Sequence, residues 1–410
     1  LSCLFCGIAA TVQAQVERAI VPPEYRLDSA QTRELRLKVD NLSFFKDNEF
    51  SGNIMKGYSL PGLWVEPRLT YQPLKNIRLD AGVHALIYHG TYHYPNYAYR
   101  DIAQWKGSEY QKGAHLLPIF RAQVAMRRCN IVLGNLYGAG HHRLLLPLYN
   151  PELNLTADPE NGVQVLYDHP RLHLDVWVNW ESFIFEGSTH QEAFIVGLSS
   201  RLNLNAPESR VHCYLPVQGV LQHRGGEQDT AFSVQTLING AAGVGVRWNI
   251  GRKALKWANF ETAALGYYQQ AGDIWPYGSG GALLLSAEMM FAHNLHLRAD
   301  YFRSYRFISL LGSPFFGSVS TKYPGARFDE HPHTFHVALD YSRKFGKHYA
   351  FGAKAETYYT RPGAMTDAEG KVTPGSSSFN SSFGVYFRIY PDFLLKTVSY
   401  THLTLPTKLE

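Results

Sequence analysis

The sequence predicts an all-β fold, a transmembrane antiparallel β-barrel of about sixteen strands with short periplasmic turns and long extracellular loops. Three observations carry this prediction. Apolar and polar residues alternate along many segments, the connections between those segments alternate between short and long, and the composition suits a wall that is wet on one face and apolar on the other.

The alternation has a period of two, which places successive side chains on opposite faces of a strand. In residues 172–181, leucine, valine and tryptophan occupy the even positions, whereas most odd positions are polar. Residues 77–88, 295–302 and 335–342 repeat the pattern. A helix would scatter the two sets around its axis, so these segments are predicted to be strands.

The connections between the predicted strands sort by length. Short turns are predicted at 73–76, 168–171, 251–254 and 292–294, and long polar loops near 89–115, 138–162, 270–280, 306–332 and 361–378. Outer-membrane barrels have short periplasmic turns and long outer loops in this alternation. Counting from a first strand near Leu35–Phe45 to a last one near Phe383–Tyr390 gives about sixteen strands, within a range of fourteen to eighteen, and an even number places both termini in the periplasm.

Composition and charge exclude other classes. Charged residues make up 18% of the chain and aromatic residues 14%, with 26 tyrosines. No run of eighteen or more apolar residues follows the N-terminus, which argues against a helical membrane protein. The net charge of +5 is spread along the chain without a basic stripe, so no nucleic-acid partner is predicted.

The two ends are predicted to lie outside the barrel. Residues 1–14 resemble the apolar part and cleavage site of a secretory signal peptide, which predicts export to the outer membrane. Residues 15–34 would form an N-terminal periplasmic segment or a plug of the lumen. Residues 35–396 would form the barrel, and residues 397–410 would be a non-native tail, foreign to the strand pattern.

The cysteines do not predict a disulfide framework. Cys3 and Cys6 fall in the signal segment, where a lipoprotein anchor is the less favoured alternative because the apolar stretch continues past both. Cys129 falls at a predicted turn and Cys213 on the apolar face of a strand.

Aromatic residues flank several of the short turns. Tyr71, Trp248, Trp257, Tyr341 and Tyr349 are predicted to form a girdle at the membrane interface, because amphipathic rings favour that depth. The alternative is that tyrosine and tryptophan simply favour strands.

Several strands that leave short turns carry charged residues on the face opposite the apolar one. The residues predicted to line the lumen are Arg78, Asp80, His84, His173, Asp175, Glu181, His296, Arg298 and Asp300. A ring of charge would select solutes passing through a pore. The alternative, which the sequence favours, is a mutually satisfied network that only pairs polar groups inside the wall.

Histidine clusters do not match a metal site. The chain has 18 histidines, but neither His331, His333 and His336 nor the adjacent His141 and His142 have the spacing of a known ligand set. No metal and no cofactor is therefore predicted.

Other motifs also have structural explanations. The glycine-rich residues 240–245 lie within a strand, where glycine marks close approach, and Ser279 lacks the surroundings of a nucleophile elbow. No catalytic residue is predicted, although a site assembled from several strands would leave no local motif. The tyrosine-rich loop at 91–99 suits either a glycan platform or packing on the barrel rim.

Across roughly residues 35–390 the pattern resembles outer-membrane porin-like barrels. Residues 48–62, with Gly57-Tyr58-Ser59-Leu60-Pro61-Gly62, and residues 136–143 also look like outer-membrane proteins of gut-type bacteria, a resemblance that implies no particular activity. The chain departs from TonB-dependent receptors, since no plug domain of adequate length precedes the strands.

These patterns predict a channel or porin-like transporter for small polar solutes. The alternatives are an outer-membrane enzyme acting on lipid or polysaccharide, a hydrophobic-solute transporter with an N-terminal hatch, and a structural or adhesive barrel. Expected partners are outer-membrane lipid and lipopolysaccharide, the barrel assembly machinery during biogenesis, and a small polar solute or glycan.

Overall fold

The computed structural model describes residues 25–88, 115–184, 190–226, 233–329 and 331–397. Sixteen long antiparallel strands form one closed barrel, and four shorter strands accompany them. The strands are β1 (Glu34–Glu49), β2 (Tyr58–Leu74), β3 (Ile77–Tyr88), β4 (His115–Met126), β5 (Cys129–Asn135), β6 (Asn161–Asp168), β7 (Leu172–Ser182), β8 (Ala193–Asn203), β9 (Val211–Arg224), β10 (Gln235–Asn249), β11 (Leu255–Ala271), β12 (Ser279–Phe291), β13 (Leu295–Tyr305), β14 (Arg327–Phe328), β15 (His333–Phe345), β16 (Tyr349–Arg361), β17 (Met365–Thr366), β18 (Val372–Thr373), β19 (Ser378–Ile389) and β20 (Asp392–Thr397).

The barrel closes where β1 meets the end of the chain. Residues 41–49 of β1 pair with β19, and residues 34–38 pair with β20. Pro391 separates β19 from β20, because proline lacks the amide hydrogen that a ladder requires. Short β14, β17 and β18 form a separate small sheet. The predicted fold class and strand number are confirmed.

Connection length alternates around the barrel as the sequence predicts. The links β2–β3, β4–β5, β10–β11, β12–β13 and β15–β16 are tight turns, whereas the links that follow odd strands up to β13 are longer. Gly251 and Gly346 have φ angles of +67° and +59° within two of these turns, a conformation that glycine adopts without steric cost. No helix among the described residues is long and apolar enough to cross a bilayer.

Side chains alternate between the lipid and the lumen. On β12, Leu283 and Leu285 are 42% and 43% exposed, whereas Leu284 between them is 1% exposed. The exposed leucines form part of an apolar outer surface, which lipid covers in a membrane barrel. The inward position is buried by material inside the barrel.

That material comes from two long loops that fold into the lumen. The first inner loop (residues 136–160) reaches β9, where the amide of Leu145 donates to Gln218 Oε1 at 2.8 Å. It also reaches β1, where Lys46 Nζ lies 2.6 Å from Glu152 Oε2. The loop therefore spans the interior between distant strands.

The second inner loop (residues 306–326) packs beside the first. Asn239 Nδ2 on β10 donates to the carbonyl of Ile308 at 2.9 Å, and the amide of Asn150 donates to the carbonyl of Leu311 at 2.8 Å. Apolar side chains of both loops join one buried cluster with residues of the wall. A sixteen-stranded barrel is too wide for wall side chains alone to fill, and these loops occupy the remaining space.

The N-terminal segment enters the lumen from the periplasmic end. The ring of Tyr25 lies 4.8 Å from that of His141, and its hydroxyl donates to Asp168. The main-chain carbonyl of Tyr25 accepts a hydrogen bond from Gln123 Nε2 at 2.5 Å. The described beginning of the chain therefore lies inside the periplasmic mouth. The predicted signal peptide, the loop at 91–99 and the tail beyond Thr397 lie outside the described residues.

Candidate functional site in the barrel lumen

Most of the residues expected to line the lumen are buried inside the barrel. Seven of the nine are at most 7% exposed, namely Arg78, Asp80, His84, Asp175, His296, Arg298 and Asp300. They come from three separate parts of the wall, on β3, β7 and β13.

The remaining two are half-buried. His173 lies at the periplasmic end of β7, where its Nδ1 is 2.8 Å from Asp168 Oδ1. Glu181 is the extra residue of a bulge between Trp180 and Ser182, and Ser182 is the next buried position. A bulge interrupts strict alternation, which the sequence pattern did not predict.

Opposite charges are paired along one side of the lumen. We define the paired wall as Glu288, His296, Arg298, Asp300, His336, Asp340, Lys354 and Glu356, with Lys46 from β1. Arg298 lies 2.7 Å from Asp300 and 3.0 Å from Glu288. His336 Nδ1 lies 2.8 Å from Asp300, and Lys354 Nζ lies 2.9 Å from Glu356. His296 Nδ1 lies 3.1 Å from Asp340 Oδ2. Each charged group on this wall has an opposite charge within 4 Å.

The paired wall also holds the first inner loop. Lys46 Nζ lies between Glu152 Oε2, at 2.6 Å, and Glu356 Oε1, at 3.2 Å. The other oxygen of Glu152 accepts from the hydroxyl of Tyr58 at 2.5 Å. Since Glu152 is on the loop and its partners are on the wall, these contacts anchor the loop inside the barrel.

The opposite side of the lumen encloses a cavity of about 250 Å³. It lies between strands β1 to β5 and the first inner loop, and it extends from Lys38 and Asp392 at the periplasmic end to His84 in the middle of the barrel. Its lining is mixed, with apolar Trp64, Ile119 and Leu136 on or next to strands that also carry its charged residues.

Several polar atoms around this cavity have no hydrogen-bond partner among the described residues. We define the open wall as Glu66, Arg68, His84 and Asn135, of which Arg68 Nε, His84 Nε2 and Asn135 Nδ2 are unpartnered. His141 Nε2 on the first inner loop is a fourth such atom at the same cavity. Buried polar atoms are nearly always satisfied, so a group of them around one cavity indicates a place for a ligand or water.

A carboxylate orients the imidazole on the open wall. His84 Nδ1 lies 2.8 Å from Glu66 Oε1, because the two residues face each other across β2 and β3. The same carboxylate lies 3.9 Å from Arg68 through its second oxygen. When Nδ1–H donates to this carboxylate, Nε2 is the ring nitrogen that faces the cavity.

On the periplasmic side of the open wall, a cluster of Arg78 and Arg121 around Asp80 links strands β3 and β4 to the first inner loop. Asp80 lies 3.4 Å from Arg78 and 3.5 Å from Arg121, and it accepts from Thr70 Oγ1 at 2.7 Å. Arg121 also donates to two main-chain carbonyls at the start of the loop, and its guanidinium lies 4.1 Å from the ring centre of Tyr137. This cluster fixes the floor of the cavity.

His142 on the first inner loop is held between two carboxylates. Its Nε2 lies 2.7 Å from Glu160 and its Nδ1 lies 2.8 Å from Asp175, while its ring stacks on Trp177 at 3.5 Å. Burial would lower the pKa of His142, but the two carboxylates outweigh it and raise the pKa to about 9. His142 is therefore an imidazolium that fastens the loop to β7. Burial lowers the pKa of neighbouring His141.

The predicted aromatic girdle is wrong at one position. Trp248 and Tyr349 are 53% and 47% exposed, and Tyr71 and Tyr341 are half-buried. Trp257 is 7% exposed and lies beneath the guanidinium of Arg247 inside the barrel. Simple alternation along β11 places Trp257 on the same face as inward Asn259 and Glu261.

Sequence reasoning missed Glu66 and Arg68. Both lie on β2, whose Pro61 and Pro67 argue against a strand when only the sequence is read. The available signal was the inward series at alternate positions that begins with Trp64 and continues to Gln72. No group of three or more histidine, cysteine, aspartate or glutamate side chains in the described parts of the chain is arranged to hold a metal ion.

Comparisons with known proteins found one family model and several solved structures. A family model described as lipid A 3′-O-deacylase-type matches residues 27–398. No curated protein matches the chain.

The chain also matches solved structures, two of which are described as outer-membrane proteins, OprD and OmpT. OccAB4 of Acinetobacter baumannii has 11% identity and a TM-score of 0.44, and the match covers 89% of this chain and 100% of that one. OprD of Pseudomonas aeruginosa has 9% identity and a TM-score of 0.41, with 92% and 99% covered. OmpT of Vibrio cholerae has 10% identity and a TM-score of 0.44, with 87% and 97% covered. At these identities the likeness concerns the fold alone.

Proposed function

Since the chain belongs to the lipid A 3′-O-deacylase-type family, we propose that it hydrolyses an ester-linked acyl chain of a lipid A-type glycolipid in the outer membrane. One observation on this chain carries the proposal. The carboxylate-oriented imidazole of His84 faces a cavity that also contains unpartnered hydrogen-bond donors, Asn135 Nδ2 and Arg68 Nε.

This arrangement supplies the groups that ester hydrolysis requires. His84 Nε2 accepts a proton from a water molecule as its oxygen adds to the ester carbonyl, and Glu66 stabilises the imidazolium that forms. Asn135 and Arg68 offer N–H donors for the negative charge that develops on the carbonyl oxygen. The imidazolium then returns the proton to the departing sugar oxygen, which leaves a free fatty acid and an alcohol.

The cavity has the mixed character that such a substrate needs. Its apolar residues, with Trp64, Ile119 and Leu136, suit part of an acyl chain, and its charged residues suit a polar headgroup. The buried volume is below that of most complete ligand sites, which typically have about 300 to 1,000 Å³. We therefore expect only the reacting segment of the substrate to enter.

The proposal is tested by removing the base and its orienting group separately. Purified barrel in detergent micelles is incubated with lipid A, and loss of an acyl chain is followed by mass spectrometry. Replacing His84 with Gln should lower the rate by about 100-fold or more, since general base catalysis typically contributes about 10² to 10⁴. Glu66→Gln should retain more activity and shift the pH dependence of the rate.

A matched control is His223→Gln. His223 is also a wall histidine, but it bonds to Thr236 and to the carbonyl of Gly225, away from the cavity. Its variant should retain full activity. Equal rates for the His84 and His223 variants, or no deacylation by the wild-type protein, would contradict the proposal.

A second candidate, a porin-like channel for small polar solutes, is favoured by the charged cavity that extends to the periplasmic end. The two inner loops would then have to move, because they fill the lumen on the extracellular side. Planar bilayers test this directly. A channel requires steady ion conductance by the wild-type protein, and its absence would leave the hydrolase as the only candidate.

A further inference from the structure

A second group of arginines lies near the periplasmic end of the lumen, on strands β8 and β10. The sequences Arg201-Leu202-Asn203 and Arg247-Trp248-Asn249 share an Arg-x-Asn pattern. In both, the arginine Nε donates to the asparagine Oδ1 two residues later, at 3.2 Å. The same local arrangement therefore occurs twice.

Each guanidinium also lies over an aromatic ring of the next strand. Arg201 is 3.5 Å from the ring centre of Tyr214 on β9, and Arg247 is 4.2 Å from that of Trp257 on β11. The ring contact and the Nε bond together hold each guanidinium in one orientation. No hydrogen bond of the terminal guanidinium nitrogens to another described residue is present.

The ring of Tyr214 is itself fixed. Its hydroxyl lies 2.7 Å from Glu261 Oε2 and 2.8 Å from Asn259 Oδ1. Its ring lies against Gly245 on β10, where a Cβ would be only 2.1 Å from a ring atom. Glycine at this position is required for Tyr214 to support Arg201.

The charge of Arg247 is unpaired, unlike that of the other buried arginines. Arg78, Arg121, Arg298 and Arg388 each have a carboxylate oxygen within 3.5 Å. Arg247 is 8% exposed and has no carboxylate within 4 Å among the described residues. Arg201 is half-buried, and it also has no carboxylate within that distance among those residues. A buried charge without a partner is costly, so a counter-charge from outside the wall is expected.

A small cavity brings a third arginine beside Arg201, although Arg247 does not line it. Arg201 lines a space of about 70 Å³ with Arg143 of the first inner loop and with Gln218. Three carboxylates also line it, and each already has a partner: Glu261 is bonded to Tyr214, Asp168 to His173 and Asp175 to His142. The space suits a small ion.

We propose that Arg201 and Arg247 form a binding site for a phosphate group, either as the free ion or as a monoester. Two oriented guanidinium groups with free terminal nitrogens match the oxygens of a tetrahedral oxyanion. Because the rings and asparagines already fix the side chains, little conformational entropy is lost on binding. The site lies on a different part of the wall from His84 and does not depend on the proposed hydrolysis.

The test uses the whole purified barrel in detergent at constant ionic strength. Inorganic phosphate is titrated to about 20 mM against chloride, and binding is followed by ³¹P line broadening and by the thermal unfolding temperature. We expect saturable broadening with an apparent Kd near about 1 mM, weakened about tenfold or more in Arg247→Gln and in Arg201→Gln. Arg247→Lys should also bind weakly, because lysine keeps the charge but loses the planar fork.

A control and two further arms sharpen the result. Arg252→Gln removes an exposed arginine from a nearby periplasmic turn and should bind phosphate as the wild type does. In Glu17→Gln/Glu24→Gln, which removes carboxylates from the segment before Tyr25, the phosphate response should persist.

Phosphatidate in mixed micelles tests the lipid source, and either free phosphate or phosphatidate binding that depends on Arg247 supports the site. If neither ligand binds, or if the Arg247 and Arg252 variants respond equally, the arginines only pack on their rings and the proposal fails.

Discussion

Both walls of the lumen contain polar atoms without a hydrogen-bond partner among the described residues, but those of the open wall line a cavity, whereas those of the paired wall, such as Glu288 Oε2 and Asp300 Oδ1, belong to groups that are already ion-paired. On the paired wall, each charge has an opposite charge within 4 Å, as Arg298 has with Asp300 and Glu288. On the open wall, His84 Nε2 and Asn135 Nδ2 face the cavity without a partner. Buried charge alone therefore does not identify a site. A candidate site is identified by polar atoms that line a cavity and have no hydrogen-bond partner in the protein.

The largest expected effect comes from breaking the paired wall at Lys46. Replacing Lys46 with Met would leave Glu152 without its ammonium partner and Glu356 with only Lys354 and His336. Removing one partner of a buried ion pair typically costs about 3 to 5 kcal/mol. Urea unfolding in detergent micelles, followed by tryptophan fluorescence, should show a loss of this size.

Arg327→Ala provides the comparison for that experiment. Its ion pair with Asp329 at 3.2 Å is more than a third exposed on both sides. Exposed pairs contribute about 0 to 1 kcal/mol, so this variant should unfold almost as the wild type does. Equal losses in the two variants would show that the anchor on Glu152 is not a buried pair.

The difference between the walls also explains what the sequence could predict. Alternation and connection length are local, so the strands, their number and the inward positions of Arg78 and Arg298 follow from them. The partner of an inward side chain is on a neighbouring strand or an inner loop, and it depends on register. Glu66 faces His84 because β2 and β3 pair in one register, and Glu152 reaches Lys46 only because its loop folds inward. Neither contact can be predicted from the sequence of a single strand or loop.

A second prediction concerns pH and the loop fastening at His142. Its pKa is about 9 in the folded protein against 6.5 in the unfolded chain. The stabilisation is therefore fully present below pH 6.5 and is lost as the pH rises through 9. A shift of this size corresponds to about 3 kcal/mol, since one pKa unit is about 1.36 kcal/mol.

The measurement is the urea midpoint between pH 6 and pH 10. The wild type should lose stability over the upper part of this range, and His142→Gln should show a flatter profile from a lower starting point. A wild-type profile that is flat up to pH 10 would contradict the assignment of an imidazolium between Glu160 and Asp175.

A third prediction compares equivalent arginines on the two sides. Arg298 and Arg78 are both 7% exposed. Arg298→Gln removes a direct partner from two carboxylates, which should cost about 2 to 3 kcal/mol, whereas Arg78→Gln should cost about 1 kcal/mol because Arg121 still contacts Asp80. Urea unfolding of the two variants side by side measures the difference. The reverse order would mean that the cluster around Asp80 is the stronger one.

The smallest effect is expected at the end of the chain, where the closing strand can be separated from the residues after it. β20 pairs with β1 as far as Thr397, and Asp392 lies 2.7 Å from Arg36. Deleting residues 392–410 removes that ladder and the ion pair, so the urea midpoint should fall. Deleting only residues 398–410 should change the free energy of unfolding by less than about 0.5 kcal/mol, because a segment foreign to the strand pattern contributes no ladder. Both deletions keep β19, so both should still form the heat-modifiable barrel on unboiled gels. If the shorter deletion destabilised the barrel as much as the longer one, residues 398–410 would help to close the barrel, and the pairing with β1 would extend beyond β20.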